Sequence, residues 1–183
     1  MQNIFFSLWF FLPAGIANVV PVFASKLPIL RGYCYPMDLN KSFSGKRILG
    51  DNKTIRGFIS GILIGIIIST LQYNLYKSST LINALIGFNY TNGNPVLLGF
   101  LLSFGALTGD SIKSFFKRQM GIASGKSWFP FDQMDYILGG IIFSSFFIRL
   151  PIINYVTIFV IYFILHIVIS YIGFIFHLKK SAI

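Results

Sequence analysis

The chain has 183 residues, 55% of them hydrophobic and only 11% charged, which excludes a soluble globular domain, because no core of that size hides so much apolar surface. The net charge of +10 comes from 15 Lys and Arg against 5 acids, and every acid is Asp. A single cysteine, Cys34, excludes an intrachain disulfide and a cysteine-based zinc site.

A run of about 20 apolar residues is long enough to cross a bilayer as a helix, and five segments meet that length. The first covers about Ile4 to Ala24, is interrupted by Pro13 and Pro21, and is too long for a signal-peptide core, so it reads as a retained span. The second runs from about Phe58 to Tyr76 and the third from about Pro95 to Phe116, its last third polar. The fourth covers about Gln133 to Leu150 and the fifth about Ile152 to Phe176. Small residues recur four apart as Gly57, Gly61 and Gly65, as Gly99 and Ser103, and as Gly140 and Ser144. Such faces let helix backbones approach closely. The expected fold is a single all-α integral membrane domain over 1–183, a bundle of five transmembrane helices.

Loop charge sets the expected orientation. Segment 25–57 carries Lys26, Arg31, Lys41, Lys46, Arg47, Lys53 and Arg56; segment 110–135 carries Lys113, Lys117, Arg118 and Lys126; Lys179 and Lys180 close the chain. The intervening loops offer only Lys77 and Arg149. That alternation puts the N-terminus outside, the C-terminus in the cytoplasm, and both basic loops on the cytoplasmic face of a multi-pass cell membrane protein.

The stretch SGKRILGDNKTIRG, Ser44 to Gly57, holds four cations and one acid beside Gly, Asn and Thr. Positive-inside topology and attraction to anionic headgroups explain its Lys and Arg, while Gly-bounded turns also present amides to phosphate. It is not a P-loop, since the Lys-Thr pair at Lys53 and Thr54 comes two residues late and no strand precedes it. In the second loop, Asp110 lies about 22 Å along the third span, near the interface. Lys113, Ser114 and Lys117 follow on the same helical face. Asp132 and Asp135 open the fourth span one turn apart, so three carboxylates converge at one depth. Helix capping accounts for Asp132 and Asp135 alone, and an ion pair with Lys113 for Asp110. Together, Asp oxygens among cations and amides describe a site for Mg²⁺ carrying a nucleotide triphosphate.

Among single residues, His166 reads as a neutral packed side chain in mid-span, and His177 as a complement to a helix C-terminus. Asn18 and Pro21 mark a polar break in the first span. Asn89 heads a sequon in an outer loop.

Several motifs agree in order and spacing with one family. RILGDNKTIRG before an apolar helix, GALTGDSIKSFFKR, and PFDQMDYILGG resemble the CDP-archaeol synthases, membrane CTP-dependent cytidylyltransferases of the wider CDP-diacylglycerol synthase group. ANVVPVF and YPMDLNKSFSGKR extend the likeness over most of the first 140 residues. The chain lacks the Lys-Asp pair and the His-Gly-Gly of the diacylglycerol branch. The resemblance implies transfer of CMP from CTP to an isoprenoid (geranylgeranyl-type) glycerol phosphate, giving a CDP-archaeol-type lipid and pyrophosphate with Mg²⁺ required. It further implies that Asp110, Asp132 and Asp135 hold the metal. Lys117 and Arg118 would meet the triphosphate with Asn52, Lys53, Lys113 and Arg56, and Lys46 and Arg47 the lipid phosphate. Expected partners are CTP, a lipid phosphate and the bilayer, not nucleic acid; oligomeric state, a homodimer included, is left open. A diacylglycerol-type synthase acting on phosphatidate or another lipid phosphate, and a small membrane transporter, are the alternatives.

Overall fold

The computed structural model describes residues 2–87 and 93–175, and His177 and Asn89 lie outside them. The elements are α1 (Gln2–Ala24), α2 (Pro28–Arg31), a hairpin of β1 (Ser42–Phe43) and β2 (Lys46–Arg47), α3 (Ile55–Ser78), α4 (Thr80–Ile86), α5 (Pro95–Gln119), α6 (Phe131–Ser145) and α7 (Ile152–Ile175). Caps explain two of the starts. The Thr54 hydroxyl accepts from the Gly57 amide at the head of α3, and Asn94 accepts from the Val96 and Leu97 amides ahead of Pro95.

Among the described residues, four helices, α1, α3, α5 and α7, are long and apolar enough to cross a membrane. The segment expected as the fourth of five spans is shorter than drawn. Its helix α6 has 15 residues, about 22 Å of rise against a hydrocarbon core of about 30 Å. Residues 146–151 turn instead of extending it, and Pro151 disfavours helix at the residue before it. The sidedness read from loop charge depends on the five-span count and stands as an expectation.

Helix α3 is inside-out by the standards of a water-soluble helix. Gly57, Gly61, Gly65, Ser69, Gln72 and Tyr76 are buried, whereas Ile55, Ile59, Leu63, Ile67, Leu71 and Leu75 are exposed. Only lipid makes that arrangement favourable, because apolar tails solvate the Ile and Leu stripe while small residues let backbones touch. The stripe packs antiparallel on α1: a Cβ at Gly57 would stand 2.9 Å from Pro21 Cβ, and one at Gly61 2.9 Å from the Ala17 carbonyl oxygen. Across the bundle, Gly65 abuts Ser103 and Gly99 abuts Ser69, so α5 packs on the same stripe. The core gathers Phe10, Phe11 and Ala14 of α1, Leu102 and Ala106 of α5, Ile137 of α6 and Ile158 of α7. Polar side chains tie the helices together: Gln72 Nε2 donates to the Trp9 carbonyl (2.7 Å), and Tyr162 Oη to the Leu8 carbonyl (2.7 Å).

Candidate active site

Antiparallel packing brings the C-terminal ends of α1 and α5 and the N-terminal ends of α3 and α6 to one end of the bundle. Both long connections, 25–54 and 120–130, lie there. The crossing of α5 and α6 is closest at Gly105 and Gly109, which abut the backbone of Gly139 and Asp135. With no side chain between the two backbones, Asp110, Lys113 and Lys117 of α5 lean directly onto the first turns of α6.

The three expected carboxylates do converge, and a lysine sits at their centre. Lys113 Nζ lies 2.7 Å from Asp132 Oδ1, 3.0 Å from Asp135 Oδ2 and 3.2 Å from Asp110 Oδ1. Lys53, reaching over from the first loop, pairs with the other oxygen of Asp110. Lys117 Nζ donates to both oxygens of Asp132 at 2.9 and 2.8 Å, and the Trp128 amide donates to the same carboxylate. Asp135 has Lys113 alone as its ion-pair partner among the described residues. The side chains of Lys113, Lys117 and Asp135 are 13%, 7% and 5% exposed. Three carboxylates thus face three lysines in a largely desolvated cluster, where Coulombic attraction is strong but has to offset a large desolvation cost.

As placed, the acids are not a ready cage. Among the described residues, no group of three His, Cys, Asp or Glu side chains is positioned to hold a metal ion. Their donor chemistry nevertheless fits Mg²⁺, which takes hard oxygens, uses one or two carboxylates, and completes its shell with phosphates and water. The buried Asp135 Oδ2 accepts no aligned hydrogen bond, and Lys113 Nζ, 3.0 Å away, is its ion-pair partner.

Beside the cluster opens a cleft of about 430 Å³, walled by Asn18, Asn52, Lys53, Arg56, Asp110 and Ser111 among others. Asn52 Nδ2 donates to Ser124 Oγ at 2.9 Å and so joins the two loops. Arg56 Nη1 donates to the Leu30 carbonyl at 2.8 Å, while its Nε is buried without a partner. Arg118 Nε is likewise buried without one.

Of the expected site residues, Asn52, Lys53, Arg56 and Asp110 line the cleft and Lys113, Lys117, Arg118, Asp132 and Asp135 do not; Lys46 and Arg47 belong to neither the cleft nor the carboxylate cluster. Lys46 donates to the Gln119 carbonyl at the end of α5, a favourable position for a cation. Arg47 pairs with Asp38 (2.9 Å) and Asp51 (2.8 Å).

Asp38 is the residue organising the first loop that the sequence did not single out. Its buried carboxylate accepts from Arg47 Nε and Nη2 and from the Asn40, Leu49 and Gly50 amides. Burial by itself would raise this carboxyl, but the Arg47 and amide hydrogen bonds outweigh it and hold the group well below the usual carboxylate range. The one available signal was that every Asp in a Glu-free chain is a candidate for a specific role.

A second cavity, an apolar groove of about 650 Å³, runs between α1 and α7 past Leu12, Val19, Phe23, Leu165 and Ile169. Asn18 and Val22 line both groove and cleft. His166 lies in the groove wall against the Tyr136 ring, with centroids 5.5 Å apart, as a packed histidine should.

A family model for CDP-archaeol synthases, described as CarS-like, matches residues 1–182. The CDP-archaeol synthase of Thermococcus gammatolerans is 37% identical over 145 residues, 79% of this chain and 75% of that protein. The one from Methanospirillum hungatei is 36% identical over 148 residues, covering 80% and 81%. The one from Methanocaldococcus jannaschii is 34% identical over 154 residues, covering 81% and 79%. A solved structure of an intramembrane enzyme for archaeal membrane lipids biosynthesis is similar with a TM-score of 0.70 and 28% identity, over 89% of this chain and 91% of that one.

Proposed function

The chain belongs to the CDP-archaeol synthase family, and from that premise we propose that it transfers CMP from CTP to an isoprenoid glycerol phosphate at the cytoplasmic end of its bundle. It is an enzyme, a cytidylyltransferase-type transferase of membrane lipid biosynthesis. The observation that carries the finer reading is the shared wall of Asn18 and Val22. It joins an apolar groove to a cleft edged by Lys53, Arg56 and Asp110. A lipid phosphate needs such a passage, with chains in the groove and headgroup in the cleft.

In this reading a lipid phosphate oxygen attacks the α-phosphorus of CTP. One P–O bond forms, the bond from that phosphorus to the bridging oxygen breaks, and pyrophosphate leaves. The attacking phosphate already carries about −1.5 to −2 charge at neutral pH, so no base has to remove a proton. The work of the site is alignment of two anions and neutralisation of charge on the leaving group. Lys53, Lys117, Arg56 and Arg118 do this, with Asn52 fixing the two loops together. Asp110, Asp132 and Asp135 are the residues that would hold Mg²⁺, which supplies Lewis-acid neutralisation of the triphosphate. Arg56, with its free Nε, and Asn18 are better placed than Lys46 or Arg47 for the lipid phosphate.

The test is formation of CDP-lipid from labelled CTP by detergent-purified protein, offered isoprenoid ether and acyl lipid phosphates in parallel. Product with the ether lipid is expected. Asp132→Asn should lower kcat by about 10²–10³, the scale of losing one preorganised electrostatic group. A preference for phosphatidate would move the assignment to a diacylglycerol-type substrate, and no product with any lipid phosphate would reject it. Transport is not favoured, since the carboxylates gather at one end of the bundle and, among the described residues, no long helix is broken at its middle.

A further inference from the structure

The geometry points to Lys113 as a resident counter-cation of the Asp110–Asp132–Asp135 cluster, exchanged for a divalent cation only when the nucleotide triphosphate arrives. This rests on the reading of those carboxylates as the metal-holding group. Lys113 Nζ lies within 3.2 Å of an oxygen from each of the three acids. A divalent ion bound at about 2.1 Å from such oxygens cannot share that point with an ammonium.

The charges say when exchange is favourable. Lys53 remains on Asp110 and Lys117 on Asp132 if Lys113 leaves, so Asp135 is the acid stripped of its partner and the one that most needs the incoming ion. With Lys113 in place three lysines face three carboxylates, and a divalent cation alone in its stead would put two positive charges where there was one and leave a largely buried site with a positive surplus. A triphosphate cancels that surplus and offers the displaced ammonium new oxygens. Lys113 can follow because its charge rides on a flexible four-carbon stem. Metal and nucleotide therefore load as a pair, and the empty enzyme does not hold a stray divalent ion in its core.

The experiment is Mn²⁺ binding to the full chain in detergent, followed by electron paramagnetic resonance, with and without CTP and with no lipid present. The wild type should bind Mn²⁺ weakly alone and more tightly with CTP. Lys113→Gln, which keeps a hydrogen-bond donor but no charge, should bind Mn²⁺ without CTP at least about tenfold more tightly than wild type, within the range of ordinary site coupling. Lys113→Arg, which keeps the charge, should not. Equal Mn²⁺ affinity of wild type and Lys113→Gln in the absence of CTP overturns the exchange while leaving the metal site standing. Failure of the wild type to bind Mn²⁺ even with CTP overturns the metal site itself, and the exchange with it. If Lys113→Gln does not fold, Asp132→Asn is compared with Asp132→Asn/Lys113→Gln, where one acid and one cation leave together. The same tightening is then expected, and its absence is again decisive.

Discussion

A single carboxylate shapes the first loop. Asp38 joins residues 9 to 12 positions further along, Arg47, Leu49 and Gly50, and so positions the stretch that leads to Asn52 and Lys53. Its native pKa is depressed, so the stability it contributes is fully present above the unfolded value of about 3.9. That stability is lost as pH falls toward the folded value. Proteolytic nicking of 35–55 should therefore be slow at pH 7 and accelerate below about pH 4. Asp38→Asn should nick readily at pH 7 and lose the acid dependence, because an amide cannot supply the charged acceptor that Arg47 and the Leu49 and Gly50 amides share. Unchanged nicking in Asp38→Asn would show that the loop is held by something else. These Asp residues divide by legibility. Asp110, Asp132 and Asp135 were readable as a cluster because helical spacing puts them with lysines on facing turns. Asp38 was not, because its partners meet it only once a two-residue hairpin has folded. The pairing of Arg47 with Asp38 and Asp51 was illegible for the same reason: a basic loop shows its cations but not which of them already have acids.

At the scale of elements, the close approach of α5 and α6 decides whether a site exists. Gly105, Gly109 and Gly139 leave room for backbone against backbone, and any side chain there pushes Asp132 and Asp135 away from Lys113. Gly139→Leu should cost at least the roughly 1–3 kcal/mol of an overpacked core. It should lower the melting temperature in detergent and abolish CTP binding, whereas the outward-facing Ile142→Ala should leave both nearly unchanged. Retained CTP binding in Gly139→Leu would mean that the crossing does not position the cluster. The glycine stripe of α3 was legible because its members repeat on a single helix. This crossing was not, since its glycines belong to two helices and become neighbours only when those helices are docked. The length of α6 was overestimated for a related reason, hydropathy continuing through Phe146 and Phe147 although the helix ends at Ser145.

At the scale of the whole molecule, a net charge of +10 and an apolar exterior meet at one end of the bundle, where a water-soluble anion has to react with a lipid. The groove between α1 and α7 is the part of this arrangement that composition could not show, since Ile, Leu and Val look alike whether they face tails of the bilayer or of a substrate. Val19 lines the groove one residue beyond Asn18, close to the cleft without belonging to the charged cluster. Val19→Trp adds bulk to the groove and leaves every cation and carboxylate in place. If the groove holds the substrate's chains, KM for a long-chain lipid phosphate should rise about tenfold or more, the scale of losing one or two buried methylenes of contact. KM for CTP should stay constant, and a short-chain lipid phosphate that does not reach the groove should be used as before. An equal effect on long and short chains would instead place the lipid on the outside of the bundle, with only its phosphate entering the cleft.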